Sequence, residues 1–452
     1  MTSQAEFLQR ASEVLIEELV LISSTGVLVD LKTFFKEINI FESVYSPVIT
    51  GNILIGDNIN LIKNLTITGG EYITIKLRTP GLSRPAYIYK TFRIFSITDR
   101  IIVDQSSQLY ILNFISQEGF SNELSPLYSA FSGKTSDIVF DIFNNYFVEP
   151  RYLTMNYHSG TLVPDIKSEL ILLDESENEV KFVSPGWSPL KCFQWLASKS
   201  IPAGSEACNF VFFEGNKNFY FGPLETIFNL GVDASIGSYR YFTPGTRETT
   251  DSVEKMFQIS EVRMTNLHDA LDSLTSGRLS SRLVNINFME KDYSYTDYSH
   301  IDNFGKYTHT SGTKAESNIP IIPNPTYFNP KNFFRINTIQ PGLFDNANQN
   351  INEKMPDIFG NRLSNMLDLN TYVLEITIPG RTDIEVGSLI YIDLPDPSPV
   401  DSTDLSASNF DHMSSGRYLM TKINHKISAL GRHDMICEVS KDSFINIYND
   451  VY

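Results

Sequence analysis

One pattern occurs twice in this chain, and it limits the possible folds more than any other feature. Near one end a glycine opens an alternating stretch, Gly70-Glu71-Tyr72-Ile73-Thr74-Ile75-Lys76-Leu77, and near the other end Gly387-Ser388-Leu389-Ile390-Tyr391-Ile392-Asp393-Leu394 has the same layout. A second alternating stretch follows in each place, Phe92-Arg93-Ile94-Phe95-Ser96-Ile97 and Tyr418-Leu419-Met420-Thr421-Lys422-Ile423. A third closes each set and leaves through polar residues, Leu112-Asn113-Phe114-Ile115-Ser116-Gln117-Glu118 and Ile436-Cys437-Glu438-Val439-Ser440-Lys441-Asp442. Apolar residues at period two place one face of each stretch in a core. Any three half-buried strands share that alternation, so a chance likeness competes with a real repeat. The other reading is two copies of one small barrel separated by other material. A cyclic trimer of such a chain carries six similar barrels, able to match a sixfold tube on one side and a threefold object on the other.

The 452 residues suffice for several domains. Residues 1–118 form the first β-barrel domain, with turns at Gly69-Gly70, Thr79-Pro80-Gly81 and Asp104-Gln105-Ser106. Residues 119–225 change to α+β. Thr135-Ser136-Asp137 reads as a capped start for a helix over 138–143, and Ser188 as N-cap with Pro189 at the first position of a helix over Leu190–Ser198. A hairpin over Phe210–Phe221 follows, turning at Gly215-Asn216. Residues 226–290, with expected strands at Val253–Val262 and Leu283–Phe288, belong to the second barrel or to the middle domain. Residues 291–370 are rich in Tyr, Asn and Pro and weakly periodic, and read as an extended insertion that packs along a neighbour or forms short elements. Residues 371–452 return to regular strands as the second barrel domain.

Composition removes several function classes. The formal net charge is −17, which argues against a protein that grips duplex DNA through a basic patch. It is compatible with an acidic wall past which DNA slides, and equally with acidity for solubility alone. Three cysteines, Cys192, Cys208 and Cys437, imply no disulfide framework and folding in a reducing cytoplasm. Residues 13–22 are acidic and do not read as a secretory leader, and no apolar run reaches the roughly 18 residues a membrane span needs.

Constellations that carry chemistry are sparse. No phosphate-cradling glycine loop or nucleophile elbow occurs. His425, His433 and Cys437 are close in sequence, but His433 and Cys437 are four apart on an expected strand, roughly 13 Å at the strand rise. Ligands of one zinc lie much closer, so core or hairpin roles are the better account. Asp393 and Asp396, with further acids over 396–411, read as a solvated loop rather than a glycosidase pair. Trp187 and Trp195 read as core packing before a sugar platform. Lys90, Arg93 and Arg100 form no phosphate track, and Arg278 with Arg282, four apart, read as a solvated face. No catalytic, cofactor-binding or metal-binding residue is assigned, and no enzyme activity or cofactor is expected.

Four segments carry a family likeness: Phe41-Glu42-Ser43-Val44-Tyr45-Ser46-Pro47-Val48-Ile49-Thr50-Gly51-Asn52-Ile53-Leu54-Ile55, Gly70–Leu77, the turn Pro185-Gly186-Trp187 with its helix, and Gly416-Arg417-Tyr418-Leu419-Met420-Thr421-Lys422-Ile423-Asn424-His425 with Gly431–Ser440. In this order the chain resembles the central baseplate hub protein of T-even-like contractile-tailed bacteriophages, most weakly over 291–370. The resemblance implies a mainly β fold with an α+β middle module: two related small tube-like β-barrels separated by an α+β domain. It implies a homotrimer forming a pseudo-sixfold ring in the virion's tail baseplate, assembled in the host cytoplasm. Its implied partners are tail tube proteins, the central spike protein and baseplate wedge proteins, with DNA only in transit through the lumen. The competing function is a tail-associated cell-wall hydrolase or carbohydrate-binding β-protein.

Overall fold

The computed structural model describes residues 10–82, 86–105, 107–148, 168–229, 237–241, 252–267, 269–288, 291–312, 315–317, 330–337, 351–396, 411 and 413–445. The fold is mainly β and largely antiparallel. One continuous 14-stranded sheet, curled into two units, dominates it, and twelve strands suffice to describe these units. The first holds β1 (Leu15–Ile22), β2 (Phe35–Ser43), β3 (Thr50–Asp57), β4 (Tyr72–Arg78), β5 (Tyr87–Ile102) and β6 (Gln108–Ser116). The second holds β7 (Ser238–Tyr241), β8 (Gln258–Ile259 running on into Glu261–Leu267), β9 (Tyr372–Pro379), β10 (Leu389–Asp393), β11 (Gly416–Ser428) and β12 (His433–Lys441).

The strands pair in the same order in both units. In the first the path is β1-β4-β5-β6-β3-β2, and in the second it is β7-β10-β11-β12-β9-β8. Each strand has its counterpart six positions later. The second path closes, because Gln258 and Ile259 of β8 pair back onto Arg240 and Tyr241 of β7. In the first unit the path ends, among the described residues, on the short strand Leu28–Asp30, which pairs with β1, and on Leu31, whose N–H donates to the Leu19 carbonyl. One difference stands: β1 runs antiparallel to β4, whereas β7 runs parallel to β10.

Local geometry repeats as well. Gly70 and Gly387, which open β4 and β10, both take left-handed φ values, 94° and 80°, where a side chain would be strained. The Ile94 N–H reaches the Glu71 carbonyl at 2.9 Å, and the equivalent Met420 N–H reaches Ser388 at 2.9 Å. The β5–β6 ladder has a bulge between Ile94 and Ser96, and the β11–β12 ladder has one between Met420 and Lys422. A bulge inserts one residue on one strand and is a specific device, so its recurrence at the equivalent position is not explained by alternation alone. The cross-strand register corrects the pairing of the third strands read from the sequence. Ser96 faces Asn113 and Lys422 faces Glu438, so Leu112 corresponds to Cys437 rather than Ile436.

Each unit buries its own core. Leu19, Ile38, Ile53, Ile73, Phe92 and Phe114 meet in the first, and Tyr239, Ile259, Ile376, Ile390, Ile423 and Cys437 in the second. Between them in sequence lies an α+β module with a phenylalanine-rich core that includes Phe143, Phe193, Phe212 and Phe219. Its hairpin is Phe210–Glu214 with Phe219–Pro223, and its helices include Thr135–Phe143 and Pro189–Ala197. Ser188 and Pro189 start the second helix as the sequence indicates. The first starts at Thr135, not after Asp137, with Lys134 as its N-cap.

The region between the units is less extended than its composition suggests. Val253 falls in a short helix, Ser252–Lys255, not in a strand. Ser280–Asn287 pairs antiparallel with Asp292–Ser299 and parallel with Lys331–Asn337 as a separate three-stranded sheet. An 18-residue helix, Ile351–Asp368, packs on that sheet, with Gly360 so close to Tyr298 that a Cβ would lie 2.5 Å from it. Arg362 of this helix donates to the carbonyls of Ala197, Cys208 and Phe210, tying it to the middle module.

Candidate assembly interface

The two units meet along a strand seam. β11 has 13 residues, and its two halves do different things on one edge. Its first half, Gly416–Leu419, pairs with β10 of its own unit, and its second half, Lys422–Ser428, pairs with β2 of the first unit. The Val44 N–H donates to the Thr421 carbonyl at the changeover. The cores interlock there, since Ile427 of β11 lies in the first core and Val44 in the second.

A buried polar chain crosses this seam. His425 Nε2 lies 3.1 Å from Glu42 Oε1, and His425 Nδ1 lies 3.0 Å from His433 Nε2. The Glu42 carboxylate requires a donor, which assigns the proton to His425 Nε2. His425 Nδ1 then accepts, and His433 donates from Nε2. His433 Nδ1 is left as a bare acceptor with no hydrogen-bond partner among the described residues. It faces Gly380, where an added Cβ would sit 2.1 Å from the ring. Burial, and then the neighbouring His425, push the His433 pKa well below its usual value. Cys437, the third residue of the sequence-level cluster, pairs with Ile423 and Ile376 in the core, and burial raises its thiol pKa. No group of three or more metal-ligating side chains occurs among the described residues.

Two further contacts brace the units. Thr79 and Thr382 exchange backbone-to-hydroxyl hydrogen bonds, each 3.1 Å. The middle module grips the first unit through Glu214, whose carboxylate accepts from the Ile49 N–H at 2.7 Å and from Lys90 Nζ at 2.5 Å. Burial raises the Glu214 pKa to about 6 although Lys90 pulls it down.

The other singled-out residues are dispersed. Arg93 stacks on the Tyr72 and Phe120 rings and Arg100 donates to Gln108, so with the buried Lys90 they form no continuous basic track. Trp187 and Trp195 pack on each other at 5.3 Å, and Trp195 also packs on Phe182 in the middle module. Asp393 meets Arg240 across β10 and β7, Asp396 is exposed, and residues 397–410 lie outside the described set. Arg278 is not on a solvated face. It is 2% exposed and pairs with the equally buried Asp368 at 2.6 Å, while Arg282 lies on a strand and holds Asp297 at the surface. Cys192, Cys208 and Cys437 are buried and form no disulfide. No helix among the described residues is long and apolar enough to cross a membrane.

Comparison with known proteins places this geometry in context. No protein-family model matches the chain. It is 21% identical over 434 residues to a probable baseplate hub protein, gp334, of Vibrio phage KVP40, covering 90% of each chain. A tail protein from Neisseria meningitidis MC58 has a similar structure, with a TM-score of 0.50 and 11% identity over 96% of this chain and 97% of that one. The 43 kDa tail protein of prophage MuSo2 from Shewanella oneidensis aligns with a TM-score of 0.49 at 10% identity, over 94% and 98% of the two chains. The likeness to baseplate hub proteins read from the sequence therefore extends along nearly the whole chain, and the mainly β fold is shared with a tail protein.

Proposed function

We propose that this chain is a baseplate hub protein of a contractile phage tail, acting as a structural adaptor rather than as a catalyst. Three copies form a ring of six barrels. One face of the ring meets the tail tube and the other the trimeric central spike, with wedge proteins around it and a lumen through which DNA leaves. The protein then resides in the tail baseplate of the virion.

The doubling of one barrel within the chain carries this reading. The two units agree in strand order and in the position of a bulge. A threefold arrangement of a doubled unit presents near-sixfold symmetry, which is what a junction between sixfold and threefold partners requires. The relative from the Vibrio phage, matched over 90% of both chains, supports the same role.

The purified chain is expected to run in multi-angle light scattering as three copies of a 51.2 kDa subunit. Averaged electron micrographs should show a ring with six lobes. A monomer at every accessible concentration refutes the ring, and degradation of purified cell wall by the chain alone replaces the structural reading with a hydrolytic one.

A further inference from the structure

The seam inside one chain is a template for a seam between chains. Within the chain, β2 of the first unit lies along the second half of β11 in the second. The strand equivalent to β2 is β8, and the strand equivalent to β11 is β5. Both have an open edge among the described residues. β8 pairs over Glu261–Leu267 only with β9. β5 is joined to β4 as far as Ile94, but beyond that its β4-side edge is bare from Phe95 to Ile102, although β6 continues along the other side. One chain thus presents one copy of each half-seam at its two units, and neither is used.

We propose that β8 of one copy pairs antiparallel with the Phe95–Ile102 half of β5 in the next copy, so that three such seams alternate with the three internal ones around the ring. This rests on the trimeric reading above and specifies its contact. The register follows from equivalence. Asn424 faces Phe41 inside the chain, and its counterparts are Thr98 and Asn266. Each partner strand then carries one extra residue at the same level, between Thr98 and Ile101 in β5 and between Met264 and Asn266 in β8. The two irregularities face each other and the register recovers beyond them, so that Ile102 faces Val262 as Ile427 faces Ile38.

The exposed side chains fit such a seam. Ile102 is 73% exposed, Ile101 and Val103 each 59%, Met264 49% and Leu267 38%. The counterparts Ile427 and Ile38 in the internal seam are wholly buried. An open strand edge lined by bare apolar side chains is an association site unless a partner covers it. The only partner whose register is already set by this chain's own fold is a second copy.

Two cysteine pairs test the contact: Thr98→Cys with Asn266→Cys, and Ile102→Cys with Val262→Cys. The template pairs are an odd number of residues apart along each strand, so one of them belongs to the closer, non-hydrogen-bonded class suited to a disulfide. The native cysteines are buried and do not compete. Oxidation should give disulfide-linked dimers and trimers on a denaturing gel with at least one pair, and none with the single variants. Ile102→Lys, at an already exposed position, should keep the folded circular-dichroism spectrum while raising the trimer's dissociation constant about tenfold or more. A wild-type trimer in which neither pair links and Ile102→Lys changes nothing overturns this pairing and leaves the trimer standing. A wild-type monomer overturns both.

Discussion

Glu214 ties the middle module to the first unit. Its side chain is fully buried, and its two oxygens are used by the Ile49 N–H and the Lys90 ammonium. Replacing one partner of a buried ion pair leaves an uncompensated charge, which costs about 3–5 kcal/mol. Glu214→Leu should therefore destabilise by that amount in urea unfolding. Adding Lys90→Met removes the stranded charge and should recover part of the loss. About 1–3 kcal/mol should remain, because the Ile49 amide still lacks an acceptor. A double variant no better than the single one shows that Lys90 does not need Glu214. Gly380 makes a second residue-level case. A methyl there collides with the His433 ring, so Gly380→Ala should cost about 1–3 kcal/mol by overpacking, measured the same way. Neither position stands out in the sequence. Glu214 lies 124 residues from Lys90 and 165 from Ile49, and burial of Arg278 depends on Asp368, 90 residues away. A lone charged residue gives no sign of so distant a partner, which is why Arg278 reads from the sequence as a surface residue.

The seam between β2 and β11 adds a pH dependence. His433 has a folded pKa far below the ordinary value of 6.5. As pH falls through that ordinary value the unfolded chain takes up a proton and the folded chain does not. The stability associated with His433 is therefore fully present above about pH 6.5 and declines below it, by up to about 1.4 kcal/mol per pH unit. His300, whose pKa is lowered chiefly by burial, acts in the same direction. His309 is opposed by burial, but Asp442 outweighs this and raises it, so its contribution is present at low pH and lost as pH rises. Glu214, raised to about 6, also favours the folded state more as pH falls. The wild-type profile thus mixes signs, and the informative comparison is with His433→Gln, whose amide can still donate to His425. Unfolding free energies at pH 7.5 and 5.5 should fall less steeply for this variant than for wild type, and equal slopes would show that His433 is not the group responsible. Much of the seam's framework is legible in the sequence, because β4, β5, β6 and their counterparts announce themselves by alternation. The bulge is not, since one extra residue leaves both flanking runs apolar, and neither is the cross-strand register that fixes which third-strand residues correspond.

At the scale of the molecule, the order of the two units can be read from sequence, but the full membership of the second cannot. β7 has only four residues, and the gap between β8 and β9 holds the three-stranded sheet and the helix Ile351–Asp368. That helix is missed because Asn352, Glu353, Asn361 and Asn365 dilute its apolar stripe and Pro356 lies inside it. Closure of the second barrel depends on β7 meeting β8, a pairing of two residues that no periodicity reveals. The whole-molecule property that composition does supply is charge. Each chain carries −17, which the proposed ring of three would triple, while Lys90, Arg93 and Arg100 each serve an internal contact. Duplex binding gains its free energy when basic side chains neutralise phosphates and release their counterions, and these three residues supply no such cluster. A conduit benefits from that, because DNA that bound the wall would be slowed in transit. Fluorescence anisotropy with a labelled duplex of about 20 base pairs should show no binding by the trimer even at about 50 mM salt, where electrostatic attraction is weakly screened. Micromolar binding whose affinity falls steeply with added salt would mean that a basic track lines the ring, and would refute the passive conduit.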